Sequence, residues 1–263
     1  MNIIIIGKRS FLSKEIKKII PKSKVVSTKK ILDRVNSKKY LKDNTTFVIN
    51  SFYPLFKILN NKTDNISLIN DSVIFLIKFL KLIRNIKNIK ILYSSTCAVK
   101  NFSINLSNTR SVYTSTKIIS EQILREHQHK KKIQLIIIRL FNLYGGLDKA
   151  SIINKIIKAS NKSPLKINNN GRSKRDFIHV NDVSQIYKKL IFSNFSGSLD
   201  VGSGKSIAIK SLINLNSNKF IINKKKIRES KNSKANTKIL SKYYDLKKLK
   251  NVKNFINQKL RAK

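Results

Sequence analysis

The chain has 263 residues and a formal net charge of +43, with 56 lysines and arginines against 13 aspartates and glutamates. A hydrophobic fraction of 41% is ordinary for a chain that buries a core, so the composition argues against wholesale disorder. A single cysteine excludes an internal disulfide. Together with three histidines it gives too few ligands for a structural zinc site, so we expect no metal.

The N-terminal segment and the apolar runs bear on where the protein works. The first seven residues lack a basic segment, and their apolar run is too short for a signal peptide. The longest apolar stretch, 73–83, is interrupted by Lys78 and Lys81 and is shorter than the ~20 residues that span a bilayer. The sequence therefore predicts a cytoplasmic protein without a membrane span.

Short β-branched apolar runs alternate along the chain with stretches of helical spacing. Continuous apolar strands separated by helices are typical of a parallel sheet with helical crossovers, so we expect an α/β fold with a doubly wound parallel sheet. Residues 1–145 would form this domain with returning segments near 176–203, and residues 146–263 would form mainly a small substrate-binding lobe. The predicted strands are 2–6, 24–27, 46–49, 89–93 and 134–139, and the predicted helices are 14–20, 66–84 and 114–126.

The first strand ends at Gly7, and Ser10 and Ser13 follow three and six residues later. This is the spacing of a dinucleotide-binding turn, in which the first position allows the tight turn, the second admits the pyrophosphate and the third packs helix on strand. Only the first position is glycine, so an ordinary strand-to-helix turn is an equal alternative. On the dinucleotide interpretation, Gly7, Ser10, Phe11 and Leu12 contact the cofactor in a Rossmann-like domain.

Three further residues at predicted strand ends are candidates for cofactor binding. Thr28 and Lys29 follow the second strand, where NAD-binding proteins usually carry an acidic residue and basic residues accommodate a 2′-phosphate. The position therefore favours NADP weakly, because lysine is abundant throughout this chain. Asn50 follows the third strand and is the remaining candidate.

The middle of the chain carries a constellation suited to proton transfer. Thr96 ends the fourth predicted strand, and Tyr113 opens a helical run in which Lys117 lies four residues later. Residues four apart lie on one helix face, so the ammonium can lower the pKa of the phenol, which is a poor base at neutral pH. Thr96 at a strand end would hold a substrate oxygen beside that phenol.

Six ordered segments resemble the extended short-chain dehydrogenase/reductase family of nucleotide-sugar epimerases, reductases and dehydratases. The resemblance runs nearly end to end and implies NAD or NADP as cofactor and a nucleotide sugar as substrate. The segments are 7–13, 94–96, 113–124 (YTSTKIISEQIL), 139–145 (RLFNLYG), 175–183 (RDFIHVNDV) and 199–204 (LDVGSG).

The resemblance also implies roles for individual residues. Tyr113 would be the general acid/base, Lys117 would bind the nicotinamide ribose and lower the pKa of the tyrosine, and Thr96 would be the third catalytic member. Asn142 and Arg175 match positions that contact the sugar-nucleotide diphosphate, for which a planar guanidinium is physically suited.

A departure from the family pattern reduces the number of reactions that the resemblance implies. Dehydratases of the family carry an acidic pair directly after the catalytic threonine, whereas Cys97 and Ala98 stand here, which argues against dehydration. A 4-epimerase or a 4-keto reductase remains. The apolar face of 73–83 fits core packing against the sheet, or equally helix pairing in a homodimer as in many family members.

The high positive charge leaves a second interpretation of the function. Lysine is spread along the whole chain together with isoleucine and asparagine, a trio that A/T-rich codons over-produce, so we do not expect specific nucleic-acid binding. The alternative is a catalytically relaxed Rossmann binding protein whose polycationic surface engages RNA or other polyanions.

Overall fold

A computed structural model describes residues 1–50, 64–101, 109–131, 133–146, 151–214, 219–223 and 232–262. Its main sheet has six strands, in the order β2 (Lys24–Val26), β1 (Asn2–Ile6), β3 (Thr45–Ile49), β4 (Lys90–Thr96), β5 (Gln134–Leu140) and β9 (Gly197–Val201). Strand β1 pairs in parallel with β2 and β3, and β3 pairs in parallel with β4. The α/β class and the parallel sheet predicted from the sequence are confirmed.

The predicted strands and helices are present with adjusted ends. The strands are β1 Asn2–Ile6, β2 Lys24–Val26, β3 Thr45–Ile49, β4 Lys90–Thr96, β5 Gln134–Leu140, β6 Asn142–Tyr144, β7 Leu165–Ile167, β8 Lys174–His179, β9 Gly197–Val201, β10 Ser206–Ala208 and β11 Phe220–Ile222. The helices are α1 Phe11–Ile19, α2 Thr28–Leu32, α3 Arg34–Ser37, α4 Asn65–Ile69, α5 Phe75–Leu82, α6 Thr109–Lys131, α7 Ile152–Lys158, α8 Val180–Ile191 and α9 Val252–Arg261.

The predicted helix 66–84 is divided by one wider turn. A π-helical segment, Asn70–Ile74, lies between α4 and α5. The Ser72 hydroxyl donates to the Leu68 carbonyl oxygen at 2.5 Å, so the side chain engages a carbonyl of the preceding turn. Serine side chains that bond back in this way compete with the regular helical ladder and bend helices.

The chain forms two compact units, one of residues 1–139 with 184–199 and one of residues 140–183 with 200–263. The core of the first unit packs the apolar faces of β1, β3, β4 and β5 against α5, with the Phe47 and Phe79 rings in edge contact at 5.1 Å. No helix of the described ranges is both long enough and apolar enough to cross a membrane.

The second unit contains two small sheets. One has the order β10-β8-β6 and the other pairs β11 with β7. Of the segments near 176–203 that the sequence predicts to return to the main sheet, β9 joins it beside β5, whereas β8 pairs with β6 and β10. The core of this unit includes Tyr144, Ile153, Phe177 and Ile256.

A fully buried carboxylate organises the loops of the second unit. Asp176 on β8 has no exposed surface. Its Oδ1 accepts hydrogen bonds from the Ser203 backbone N–H and hydroxyl, both at 2.7 Å. Its Oδ2 accepts from the N–H groups of Gly204 and Ala235, both at 2.9 Å. One side chain therefore fixes the loop after β9 and the segment around residue 235.

Two further buried carboxylates of this unit act in the same way. Asp182 accepts from the Lys250 N–H at 2.8 Å, and Asp200 accepts from the Asn236 N–H at 2.9 Å. Burial raises the pKa of Asp182, and the bond from Lys250 opposes this rise. Each carboxylate thus holds a backbone segment distant in sequence.

We expect Asp176→Asn to lower the free energy of unfolding by about 3 kcal/mol, because the amide nitrogen would face a backbone donor and the charge-assisted bonds would be lost. Urea denaturation at pH 7 measures the change. Asp71→Asn removes the same charge from an exposed position and serves as the control. Equal stability of the two variants would contradict this role for Asp176.

Candidate active site

The turn after β1 is tight and leads directly into helix α1. Gly7 has a φ of +124°, a conformation that side chains other than glycine rarely adopt. Its N–H donates to the Val26 carbonyl of β2 at 2.9 Å, and its carbonyl accepts from the Ser10 N–H at 2.9 Å. These bonds bring the chain directly from the strand into α1.

Ser10, the first serine that replaces a glycine, caps helix α1. Its Oγ accepts a hydrogen bond from the Ser13 N–H at 3.4 Å. Phe11 and Leu12 form the start of the helix, whose first turn contains no acidic residue. The partial positive charge of this helix end therefore suits an anionic group.

Ser13, the second serine that replaces a glycine, belongs to a buried network. Its hydroxyl accepts from Asn50 Nδ2 at 3.3 Å, and Asn50 Oδ1 accepts from the Ser94 hydroxyl. The Ser94 hydroxyl also lies 2.6 Å from the Tyr187 hydroxyl. The network joins the turn to the ends of β3 and β4. It engages both polar atoms of the Asn50 side chain, whose predicted contact with a cofactor stays a prediction.

The structure places Thr96, Tyr113 and Lys117 in the first unit, at the end of β4 and on α6. Tyr113 is 8% exposed and Lys117 is 2% exposed. The Lys117 Nζ lies 6.0 Å from the centre of the Tyr113 ring. Thr96 Oγ1 accepts from the Ala98 N–H at 3.3 Å, and this bond does not use the proton of its hydroxyl.

Lys117 is held by two oxygen atoms of β4. Its Nζ donates to the Tyr93 hydroxyl at 3.2 Å and to the Ser94 carbonyl at 3.0 Å. The same nitrogen lies 4.7 Å from the centre of the Tyr93 ring. Burial lowers the pKa of Lys117 to about 7, and the nearby Glu121 charge opposes this fall.

Glu121, one helical turn after Lys117, ties α6 to two strands. Its Oε1 accepts from the Ser95 hydroxyl of β4 at 2.6 Å. Its carboxylate accepts two bonds from Arg139 of β5, at 3.1 and 2.7 Å. Glu121 is not among the residues predicted from the sequence, although an acidic side chain four residues after the predicted catalytic lysine is a usable signal in a chain with few acids.

Tyr113 is a protonated phenol at neutral pH in this environment. Burial raises its pKa, and the neighbouring Cys97 raises it further. Cys97 begins the 3₁₀ segment that follows β4, so it lies directly beyond Thr96. The phenol is therefore a weak acid here, and a nearby cation must stabilise its anion before the residue can take part in proton transfer at neutral pH.

The predicted substrate residues lie in the second unit, on neighbouring strands. Asn142 on β6 donates through Nδ2 to the Asp176 carbonyl at 2.8 Å and to the Ser233 hydroxyl at 3.4 Å. Arg175 on β8 is half-buried, and its Nη1 donates to the Lys174 carbonyl at 2.9 Å. Strands β6 and β8 are paired in parallel, which brings both residues into one small sheet.

The predicted cofactor-selecting residues open the short helix after β2. Ser27 caps this helix, and its hydroxyl accepts from the Lys30 N–H at 3.2 Å. Thr28 is half-buried and Lys29 is exposed. Both residues therefore lie at the strand end where the sequence places them.

The candidate catalytic residues lie on and beside a six-stranded sheet with the order β2-β1-β3-β4-β5-β9. The sequence profile of the NAD dependent epimerase/dehydratase family matches residues 4–198. The chain therefore belongs to this family, as the resemblance of its motifs predicts.

Two curated relatives and one solved structure illustrate the similarity. Over 108 residues the chain is 33% identical to CDP-abequose synthase of Salmonella muenchen, covering 37% of this chain and 33% of that protein. Over 121 residues it is 30% identical to dTDP-4-dehydro-6-deoxyglucose reductase of Escherichia coli, covering 44% and 38%. The chain thus spans only about a third of the length of the curated relatives it matches.

The solved structure is UDP-glucuronic acid 4-epimerase from Bacillus cereus in complex with UDP-glucuronic acid and NAD. It superposes with a TM-score of 0.71 at 16% identity, over 99% of this chain and 98% of that chain. This likeness shows the shared fold.

The burial of Lys117 makes stability depend on pH in a defined direction. Between pH 7 and 10.5 the unfolded chain holds more protons at this residue than the folded protein, so folded stability rises with pH across that window. We expect Lys117→Met to remove this dependence. The variant should be more stable than the parent below pH 7, and its advantage should shrink toward pH 10.5.

Urea denaturation of both proteins at pH 6, 8 and 9.5 measures the difference. Lys14→Met, at an exposed position of α1, is the matched control and should show no such trend. A difference between Lys117→Met and the parent that stays constant from pH 6 to 9.5 would show that the ammonium is not buried.

Proposed function

We propose that the protein is an NAD(P)-dependent nucleotide-sugar 4-epimerase or 4-keto reductase. The observation that carries the proposal is the buried Lys117 beside Tyr113, next to the strand that ends at Thr96. Membership of the NAD dependent epimerase/dehydratase family supports it. So do a curated relative whose name is that of a sugar-nucleotide reductase and a structural neighbour that is a 4-epimerase.

The turn after β1 fits a dinucleotide. The positive φ of Gly7 gives the tight turn that brings the backbone up to the position of a pyrophosphate. Ser10 and Ser13 direct their hydroxyls into local structure, so neither needs to project into that position. Phe11 and Leu12 would offer first-turn N–H groups to the phosphates.

The nicotinamide, when bound, accepts or donates the hydride at the sugar carbon. Tyr113 would remove the proton of the 4-hydroxyl or supply the proton to the 4-keto oxygen. The Lys117 ammonium would lower the pKa of that phenol by stabilising its anion. The Thr96 hydroxyl would donate to the same substrate oxygen and hold it in position.

Asn142 and Arg175 would bind the diphosphate of the nucleotide sugar. The Arg175 guanidinium can grip two phosphate oxygens at once, and the paired strands hold both side chains in one sheet. Thr28 and Lys29 favour NADP, because a hydroxyl and an ammonium suit a 2′-phosphate. We further propose that the first unit binds the cofactor and that the later chain supplies the substrate lobe.

Cofactor binding is tested by titrating NADPH and NADH and following nicotinamide fluorescence, since the chain has no tryptophan to add background. We expect saturable enhancement near physiological salt, tighter for NADPH. Lys29→Ala should weaken NADPH binding about 10-fold, roughly the energy of one charge-assisted contact, and leave NADH unchanged.

A single-stranded RNA oligonucleotide is the competitor in this experiment. Binding to a shaped pocket should survive moderate salt and excess RNA, whereas nonspecific polyanion binding should collapse with salt. Enhancement that RNA abolishes, or no enhancement at all, would favour the alternative of a relaxed scaffold that engages polyanions.

Catalysis is tested with Tyr113→Phe on a panel of 4-keto and 4-hydroxy sugar nucleotides. We expect turnover to fall by about 100-fold or more, the usual contribution of a general acid/base. Net consumption of reduced cofactor identifies a reductase, and interconversion without net consumption identifies an epimerase. Tyr40→Phe, at a buried tyrosine of the first unit, is the control and should keep full turnover. Unchanged turnover in Tyr113→Phe would exclude the mechanism.

A further inference from the structure

We propose that Tyr93 is a positioning residue that fixes the Lys117 ammonium beside Tyr113 through both its hydroxyl and its ring. The proposal rests on the proposed function, in which the Lys117 ammonium assists proton transfer at Tyr113. Neither the motif order nor the predicted triad assigns a role to this tyrosine.

The contacts of the ammonium carry the proposal. Tyr93 is 3% exposed and lies on β4, one residue before the strand's hydroxyl-rich end. The Lys117 Nζ is 3.2 Å from its hydroxyl and 4.7 Å from its ring centre, but 6.0 Å from the Tyr113 ring centre. Tyr93 therefore contacts the cation by a hydrogen bond and by its aromatic face.

The chemistry of Tyr93 suits an acceptor that never takes a charge of its own. Burial raises its pKa, so it remains a neutral phenol throughout the physiological range. A neutral hydroxyl can stabilise the Lys117 ammonium by a hydrogen bond. Unlike a carboxylate partner, it does not add a negative charge that would raise the pKa of the lysine further. The lysine can then respond to the charge that develops on Tyr113.

Several titratable groups face this ammonium from the elements packed against it. Tyr93 faces it from β4, and Tyr113 and Glu121 face it from its own helix. Arg139 of β5 shares the Glu121 carboxylate, and Cys97 from the following 3₁₀ segment acts on Tyr113. The Glu121 carboxylate is thus already engaged by the Arg139 guanidinium, so the hydroxyl and carbonyl acceptors of β4 contribute more to holding the ammonium.

Tyr93→Phe isolates the hydroxyl, because phenylalanine keeps the ring and its contact with the cation. Loss of one hydrogen bond to a charged group should lower the pKa of Lys117 by about one unit. Tyr40→Phe is the matched control, since Tyr40 is also buried and the Lys39 Nζ lies 5.5 Å from its ring centre.

The first readout needs neither cofactor nor substrate. Protein labelled with ¹³C at lysine Cε is titrated by NMR, and the resonance with a midpoint near pH 7 is assigned by its loss in Lys117→Met. Lys90, whose pKa burial lowers to about 8, gives a second shifted resonance as an internal reference. We expect Tyr93→Phe to move the Lys117 midpoint down by about one pH unit and Tyr40→Phe to leave it in place. An unmoved midpoint in Tyr93→Phe would overturn the proposal.

The second readout uses turnover of the substrate found above. The alkaline limb of the kcat profile should move to lower pH in Tyr93→Phe by the same amount, with KM within about two-fold, because the change acts on the protonated fraction of Lys117. A raised KM with an unmoved profile would contradict a positioning role. If NADPH fails to bind while the NMR midpoint shifts, the proposed function fails and the hold of Tyr93 on Lys117 stands.

Discussion

An ammonium buried to 2% exposure must find acceptors inside the protein, because desolvating an unpaired charge costs several kcal/mol. Lys117 meets this requirement with two oxygens of β4, the Tyr93 hydroxyl and the Ser94 carbonyl. One turn later Glu121 bonds a hydroxyl of the same strand and a guanidinium of β5. Helix α6 is thereby pinned to two neighbouring strands, and Tyr113, one turn before the lysine, takes its position from that attachment.

The fold could be predicted from the chain's apolar pattern because the strands of the main sheet are buried on both faces. The five predicted runs all correspond to observed strands, and no end differs by more than three residues. Helix ends were harder to predict from the apolar pattern. The predicted run 114–126 is part of the helix Thr109–Lys131, whose terminal turns are polar and do not continue the apolar period. The π-helical turn at Asn70–Ile74 is defined by which carbonyls its backbone N–H groups reach, and the apolar pattern does not encode this.

The residues of the candidate site likewise fall into those that the sequence predicts and those that it does not. The proposed roles of Thr96, Tyr113 and Lys117 follow from motif order, since they depend on spacing within one strand and one helix. Tyr93 and Glu121 act through contacts between elements, which a linear pattern does not encode. The serines of the dinucleotide turn illustrate the same limit: their sequence indicates a degraded motif, whereas their hydroxyls cap α1 and bond Asn50.

The carboxylates that bind backbone N–H groups occupy positions at which lysine cannot replace an acid. Among the few acids of this chain, Asp176, Asp182 and Asp200 hold segments up to 68 residues away in sequence. A lysine at any of them would set a donor against a donor in the interior. Sites of this kind resist codon bias, so these three buried acids mark positions where architecture, rather than base composition, selects the amino acid.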